Sequence, residues 1–116
     1  MKFLSIEPFV PSGSNFESST QFFQALGFQV NWNAGDYVGF ERDGNKFILQ
    51  KHDNVTFAEN FMLSVRITNV DEFYQDVTAR QLPEKFGIRI SQPTDQPYGR
   101  EVNIIDLAGV CWHFVE

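Results

Sequence analysis

The chain is poor in the residues that most often announce a chemistry. Its one cysteine, Cys111, cannot close a disulfide within the chain and fits a reducing compartment. Basic residues are outnumbered, nine Lys and Arg against fifteen Asp and Glu, for a formal net charge of −6. Nucleic-acid affinity rests on Lys and Arg neutralising phosphates, so this balance argues against such a partner. No apolar run is long enough to span a bilayer. The opening Met1-Lys2-Phe3-Leu4 is interrupted at Glu7 and Pro8, which leaves no signal peptide in view either. The expectation is a cytoplasmic protein with no membrane partner. A Gly-rich phosphate loop, a CxxC pair and an HExxH helix are all missing.

What the chain does have is apolar bulk and an internal echo. Hydrophobic residues make up 42% of the 116, with thirteen Phe among them, which excludes disorder and suffices for a core without staples. One pattern occurs twice in the same order. The first copy runs from Ser14-Asn15-Phe16-Glu17 through Phe22-Phe23-Gln24-Ala25-Leu26-Gly27-Phe28 to Asp43-Gly44-Asn45-Lys46-Phe47-Ile48-Leu49-Gln50. The second runs from Asn69-Val70-Asp71-Glu72-Phe73-Tyr74 to Asp106-Leu107-Ala108-Gly109-Val110-Cys111-Trp112-His113-Phe114-Val115. A repeat of about 50–60 residues is too long for a solenoid unit and suits a duplicated half-domain.

Within each copy the order reads βαβββ. A first strand is predicted over 3–11, closed by Pro11-Ser12-Gly13. Ser14 and Glu17 form a capping box, and Gly27 ends the helix that carries Phe16, Phe22, Phe23 and Leu26. Strands follow at about 28–33, 36–42 and 46–51, the last two joined by Arg42-Asp43-Gly44-Asn45. Residues 52–59 read as a polar connection containing a solvated His52. The second copy opens with a strand at 61–67, then an Asn69-capped helix presenting Val70, Phe73, Tyr74 and Val77 on one face. Residues 81–87 read as a loop, and strands at 88–92, 100–106 and 110–115 finish the chain. The fold class is therefore α+β, a single domain over 1–116 with modules at about 1–55 and 58–116.

Three stretches resemble the glyoxalase/bleomycin-resistance/dioxygenase group, the vicinal oxygen chelate superfamily. They are Phe22–Phe28, then Phe47-Ile48-Leu49-Gln50 leading through Ala58–Met62 to Asn69-Val70-Asp71, and finally Pro93–Glu101 with Asp106–Gly109 and Trp112-His113-Phe114. The third is closer to the bleomycin-resistance branch, although Tyr98 stands where that branch usually has Trp. The resemblance implies paired βαβββ modules in a curved eight-stranded sheet with a cleft, assembled as a homodimer. Enzymes of the group hold a divalent metal there through His, Glu or Gln.

Strand alternation tests that implication. With Trp112 and Phe114 in the core, Cys111, His113 and Val115 face the cleft, and His113 takes the place of the family's usual Glu ligand. Superposing Gly44 on Gly109 pairs Phe47 with Trp112 and Ile48 with His113. Met62 fills the third position, and the fourth falls near Ile6, with the Pro11–Ser14 spacing leaving Glu7 or Pro8 open. One imidazole among aliphatic groups is no catalytic metal site, so no metal, cofactor or catalytic residue is expected. Cys111 sits beside His113, but nothing in the sequence orients the imidazole, and the thiol reads as a small buried group. The expectation is a metal-free binder of a small organic ligand. Its site would comprise Trp32, Lys46, Ile48, Gln50, Asn60, Met62, Ser64, Tyr98, Arg100 and His113. A cationic ligand, such as the drugs sequestered by the bleomycin-resistance branch, would suit the acidic balance. The alternatives are a metal-dependent lyase, transferase or dioxygenase, and a non-catalytic interaction module.

Overall fold

The computed structural model describes all 116 residues. The first half contains β1 (Phe9–Pro11), α1 (Phe16–Ala25), β2 (Gln29–Asn33), β3 (Tyr37–Arg42) and β4 (Asn45–Gln50), and α2 (Val55–Glu59) connects it to the second. There follow β5 (Met62–Arg66), α3 (Val70–Ala79), α4 (Leu82–Phe86), β6 (Arg89–Ile90), β7 (Thr94–Gln96), β8 (Gly99–Ile105) and β9 (Cys111–Val115). The α+β class stands as expected, and the first half has the βαβββ order; the second follows it with an added helix, α4, and an added strand, β7, for nine strands rather than the expected eight. The strands form two separate sheets, ordered β1-β4-β3-β2 and β5-β9-β8-β6, with β7 added on β8. In each, the first strand of the module lies parallel to its last: Phe9 beside Ile48, and Ser64 beside His113. A parallel pair needs a long crossover, which the intervening helix and strands supply.

Several boundaries differ from those expected, each for a local reason. Asn15, not Ser14, caps α1, its side chain accepting from the Ser18 N–H at 3.0 Å. Asn54 and Asn69 do the same for α2 and α3, so the supposed polar connection over 52–59 contains a helical turn. Residues 82–86 are likewise helical; Pro83 lies in the first turn, where its missing N–H is not needed. The first strand is far shorter than expected. Residues 1–7 find no strand partner in the chain, and Phe3, Leu4 and Ile6 are more than nine-tenths exposed. No helix is long and apolar enough to cross a membrane.

The core draws on both modules. Phe23 is nearly fully buried, its ring 4.9 Å from Phe47 and 5.3 Å from Trp112. Phe22 meets Phe86 of α4 at 5.6 Å, so α1 and α4 pack the modules together on their helix sides. Phe47 and Trp112, equivalent positions in the two copies, touch across this seam at 5.3 Å. The period of the strands then turns Ile48 and His113 to the opposite, open faces. Phe23→Ala should cost about 3–5 kcal/mol, because the ring has core partners on every side and the cavity cannot collapse. Urea unfolding of the variant measures it.

Candidate functional site

Strand β9 lies inside its sheet, bonded to β5 on one side and β8 on the other. The register sets Ser64 and Asn103 beside His113, Met62 and Ile105 beside Cys111, and Glu101 beside Val115. All of these stand on the face opposite the buried Trp112 and Phe114. Across that face runs a line of hydrogen bonds. The Tyr98 hydroxyl donates to Glu101 Oε2 at 2.7 Å, Glu101 Oε1 lies 2.9 Å from His113 Nδ1, and His113 Nε2 lies 3.4 Å from Cys111 Sγ.

Chemistry assigns the protons along this line. Glu101 is buried, and its carboxylate can only accept, so Nδ1 carries the imidazole proton. In the tautomer with its proton on Nδ1, the ring turns the Nε2 lone pair to the Cys111 thiol. The hydrogen bond to Glu101 pushes the Tyr98 hydroxyl above its ordinary pKa and keeps it a donor. Burial, and then the charges of Glu101 and Asp106, push the Cys111 thiol upward as well. Beside His113, the buried Asn103 Oδ1 has no partner. Sequence reasoning missed Glu101, although alternation with the core residues Val102 and Ile104 would have placed it on this face.

The first sheet presents a different surface at equivalent positions. Ile48 is flanked by Phe9 and Gly39, and the Trp32 indole covers Gly39 where a Cβ would otherwise stand. Phe9 and Tyr37 meet edge to face at 6.0 Å. Gln50 lies between Pro11 and Tyr37, its Nε2 3.5 Å from the phenol oxygen. Lys46 stands beside Glu41 in the β3–β4 ladder and, with Ser64, borders a cavity of about 330 Å³ between the 44–47 turn, β5 and residues 4–6.

The anticipated site residues thus divide. Met62, Ser64 and His113 share the open face of the second sheet, reached by the Tyr98 hydroxyl; Trp32, Lys46, Ile48 and Gln50 belong to the first. Arg100 does not join them. One position before Glu101, it turns to the helix side, where it bonds Asp71 at 2.9 and 3.0 Å and Asp95 at 2.9 Å, contacts that hold its pKa above the ordinary value. Asn60 is also diverted: its side chain donates to the Thr56 carbonyl at the end of α2. Ile6 lies in the exposed N-terminal arm, and Phe9 takes the place beside Ile48. Beside His113 stands Ser64 rather than Met62.

These residues do not fit a divalent metal. Among Phe9, Ile48, Ser64 and His113 only the imidazole offers a nitrogen, both of its nitrogens already have partners, and no three His, Cys, Asp or Glu groups converge as ligands.

No protein-family model and no curated protein sequence matches the chain. Solved structures do. The bleomycin-binding protein of Streptomyces verticillus, solved with copper(II)-bleomycin, is 23% identical and superposes with a TM-score of 0.77 over 99% of this chain and 97% of that one. A bleomycin resistance determinant encoded on the transposon Tn5 gives 0.80 at 20% identity, over 97% and 96%. The chain has the bleomycin-resistance fold. A fosfomycin resistance protein of Listeria monocytogenes, solved with manganese(II) and sulfate, shares that fold at 13% identity and a TM-score of 0.76, over 99% and 90%. At these identities the likeness concerns the fold.

The position of Arg100 is testable. Arg100→Met should lower the melting temperature by no more than about 5 °C, as for a part-exposed ion pair. The deficit should shrink in about 0.5 M salt, where such pairs are screened. Thermal denaturation at two ionic strengths measures both.

Proposed function

We propose that the protein binds a small organic molecule over the open faces of its sheets, as a homodimer and without a bound catalytic metal. The observation that carries this reading is the pairing of surfaces in one chain. The first module offers an apolar wall of Phe9, Trp32, Tyr37 and Ile48; the second offers the aligned polar groups of Tyr98, Glu101, His113 and Asn103. Apolar walls with a few fixed polar groups are what small-ligand sites use. The net charge of −6 favours a cationic ligand, by raising its concentration near the protein. Relatives in fold that were solved with bleomycin give the same direction.

The dimer has its own support. Within one chain the open faces are uncovered, β1 and β5 are both edge strands, and the apolar Met1, Phe3, Leu4 and Ile6 project into solvent. A run of exposed apolar groups beside free strand edges is what association covers. A second copy is the simplest cover, since a two-fold interface uses one surface twice.

Light scattering at high micromolar concentration should give twice the 13.4 kDa chain mass; particles of chain mass alone would contradict the dimer. A thermal-shift screen of aromatic cations should yield stabilising compounds whose effect is lost in Trp32→Ala or His113→Ala. Metal analysis of protein purified without chelator should find no stoichiometric zinc, manganese, nickel or iron. Equimolar metal lost on changing His113 would overturn the metal-free part of the reading.

A further inference from the structure

We propose that Cys111, His113 and Glu101 form a thiol–imidazole–carboxylate relay that captures α,β-unsaturated carbonyl compounds as covalent thioethers. This goes beyond reversible binding at the same face.

The geometry supplies the parts in order. Cys111 and His113 are two apart on one internal strand, so their side chains stand side by side on its open face. Cross-strand register brings in Glu101 from β8, which holds the ring by Nδ1 at 2.9 Å and leaves Nε2 aimed at Sγ, 3.4 Å away. Tyr98 occupies the other carboxylate oxygen, so Glu101 is fixed at both ends. A nucleophile, a base within reach of it and a third group orienting the base are the arrangement that activates a thiol. Cys111 is part-exposed on the open face of β9. Asn103 stands beside His113 on the same face, its buried Oδ1 without a partner in the chain.

The surroundings also select the reaction. Acyl transfer through a thiol needs free N–H groups to hold a tetrahedral oxyanion. On β9 those groups are committed to the ladders with β5 and β8, and the Cys111 N–H faces the Phe61 carbonyl. Conjugate addition needs no such hole. The S–H proton passes to His113 Nε2 as the sulfur lone pair forms a bond to the β-carbon. The alkene π pair moves to the α-carbon through the enolate, and Nε2–H returns the proton there. The sum is addition of S–H across C=C, with no net oxidation and no co-reactant. Because burial keeps the resting thiol protonated, its reactivity depends on His113 taking the proton during attack.

N-ethylmaleimide is the probe, and intact-mass spectrometry counts adducts over time. At pH 7 the folded wild-type chain should react at least about a hundredfold faster than the same chain unfolded in urea, the lower end of general-base assistance. A merely buried thiol gives the reverse, and a folded chain reacting no faster than the unfolded one overturns the relay. That comparison needs no variant and stands even if the substitutions impair folding. In folded variants, His113→Gln should lose the whole advantage. Glu101→Gln should lose part of it and release the imidazole proton from Nδ1, read from ring ¹⁵N shifts. Unchanged rates in both would equally overturn the proposal. Reversible binding is read separately by thermal shift with non-electrophilic compounds, so failure of either reading leaves the other standing.

Discussion

The buried carboxylate of Asp106 is the interaction on which the second module depends. Its Oδ1 accepts three backbone N–H groups, from Ala108 at 2.9 Å, Gly109 at 3.1 Å and Val110 at 3.0 Å; its Oδ2 accepts the Trp112 indole N–H at 2.9 Å. Burial pushes its pKa upward, while the four donors pull the other way and favour the carboxylate. One side chain therefore shapes the β8–β9 turn and anchors the largest ring of the core. The turn fixes which residue of β8 lies beside which residue of β9. A slip of one would send His113 into the core and Trp112 into water. Alignment of Glu101 with His113 and Cys111 is a consequence of that turn. So is the seam between modules, since Trp112 is the ring that meets Phe23 and Phe47. Gly13 lies so close to the turn that a Cβ there would come within 2.9 Å of Ala108 Cα, which ties the end of β1 to the same point.

The first module solves the same problem differently. Its β3–β4 turn has no buried carboxylate; Arg42 instead reaches back to the Leu26 carbonyl at the end of α1. Its open face carries the rings of Phe9, Trp32 and Tyr37 around Ile48, with separate polar contacts at Gln50–Tyr37 and Asn31–Glu41 rather than a continuous line. Two copies of one topology have thus separated into an apolar wall and a hydrogen-bonded line.

Much of this was legible in the residues. The paired Gly44 and Gly109 turns, the apolar alternation after each and the Asn69 cap place β2 to β5, β8, β9 and α3 within a residue or two, while β1 is six residues shorter than expected and β7 lies outside every expected strand. That Phe47 and Trp112 face the core, and Ile48 and His113 do not, follows from a period of two. What could not be read were choices made by partners distant in sequence. Arg100 is a polar strand residue like any other until Asp71, twenty-nine positions earlier, claims it. Asn60 looks like the start of a strand but ends α2. The absence of strand pairing over residues 3–7 cannot be read from β-prone residues, because pairing depends on a neighbour that the chain does not provide. The orientation of His113 was invisible for the same reason: its orienting group sits on the adjacent strand.

The measurement that bears most directly on this account is the unfolding free energy of Asp106→Asn at pH 7, from urea titration. The amide preserves the shape of the side chain but replaces one acceptor oxygen with an N–H₂, opposing either the Trp112 indole N–H or the three backbone donors. The account predicts a loss of about 2–4 kcal/mol, from a broken charged hydrogen bond and a donor left unpaired in the interior. A variant within about 0.5 kcal/mol of the wild type, the range of an ordinary surface change, would contradict it.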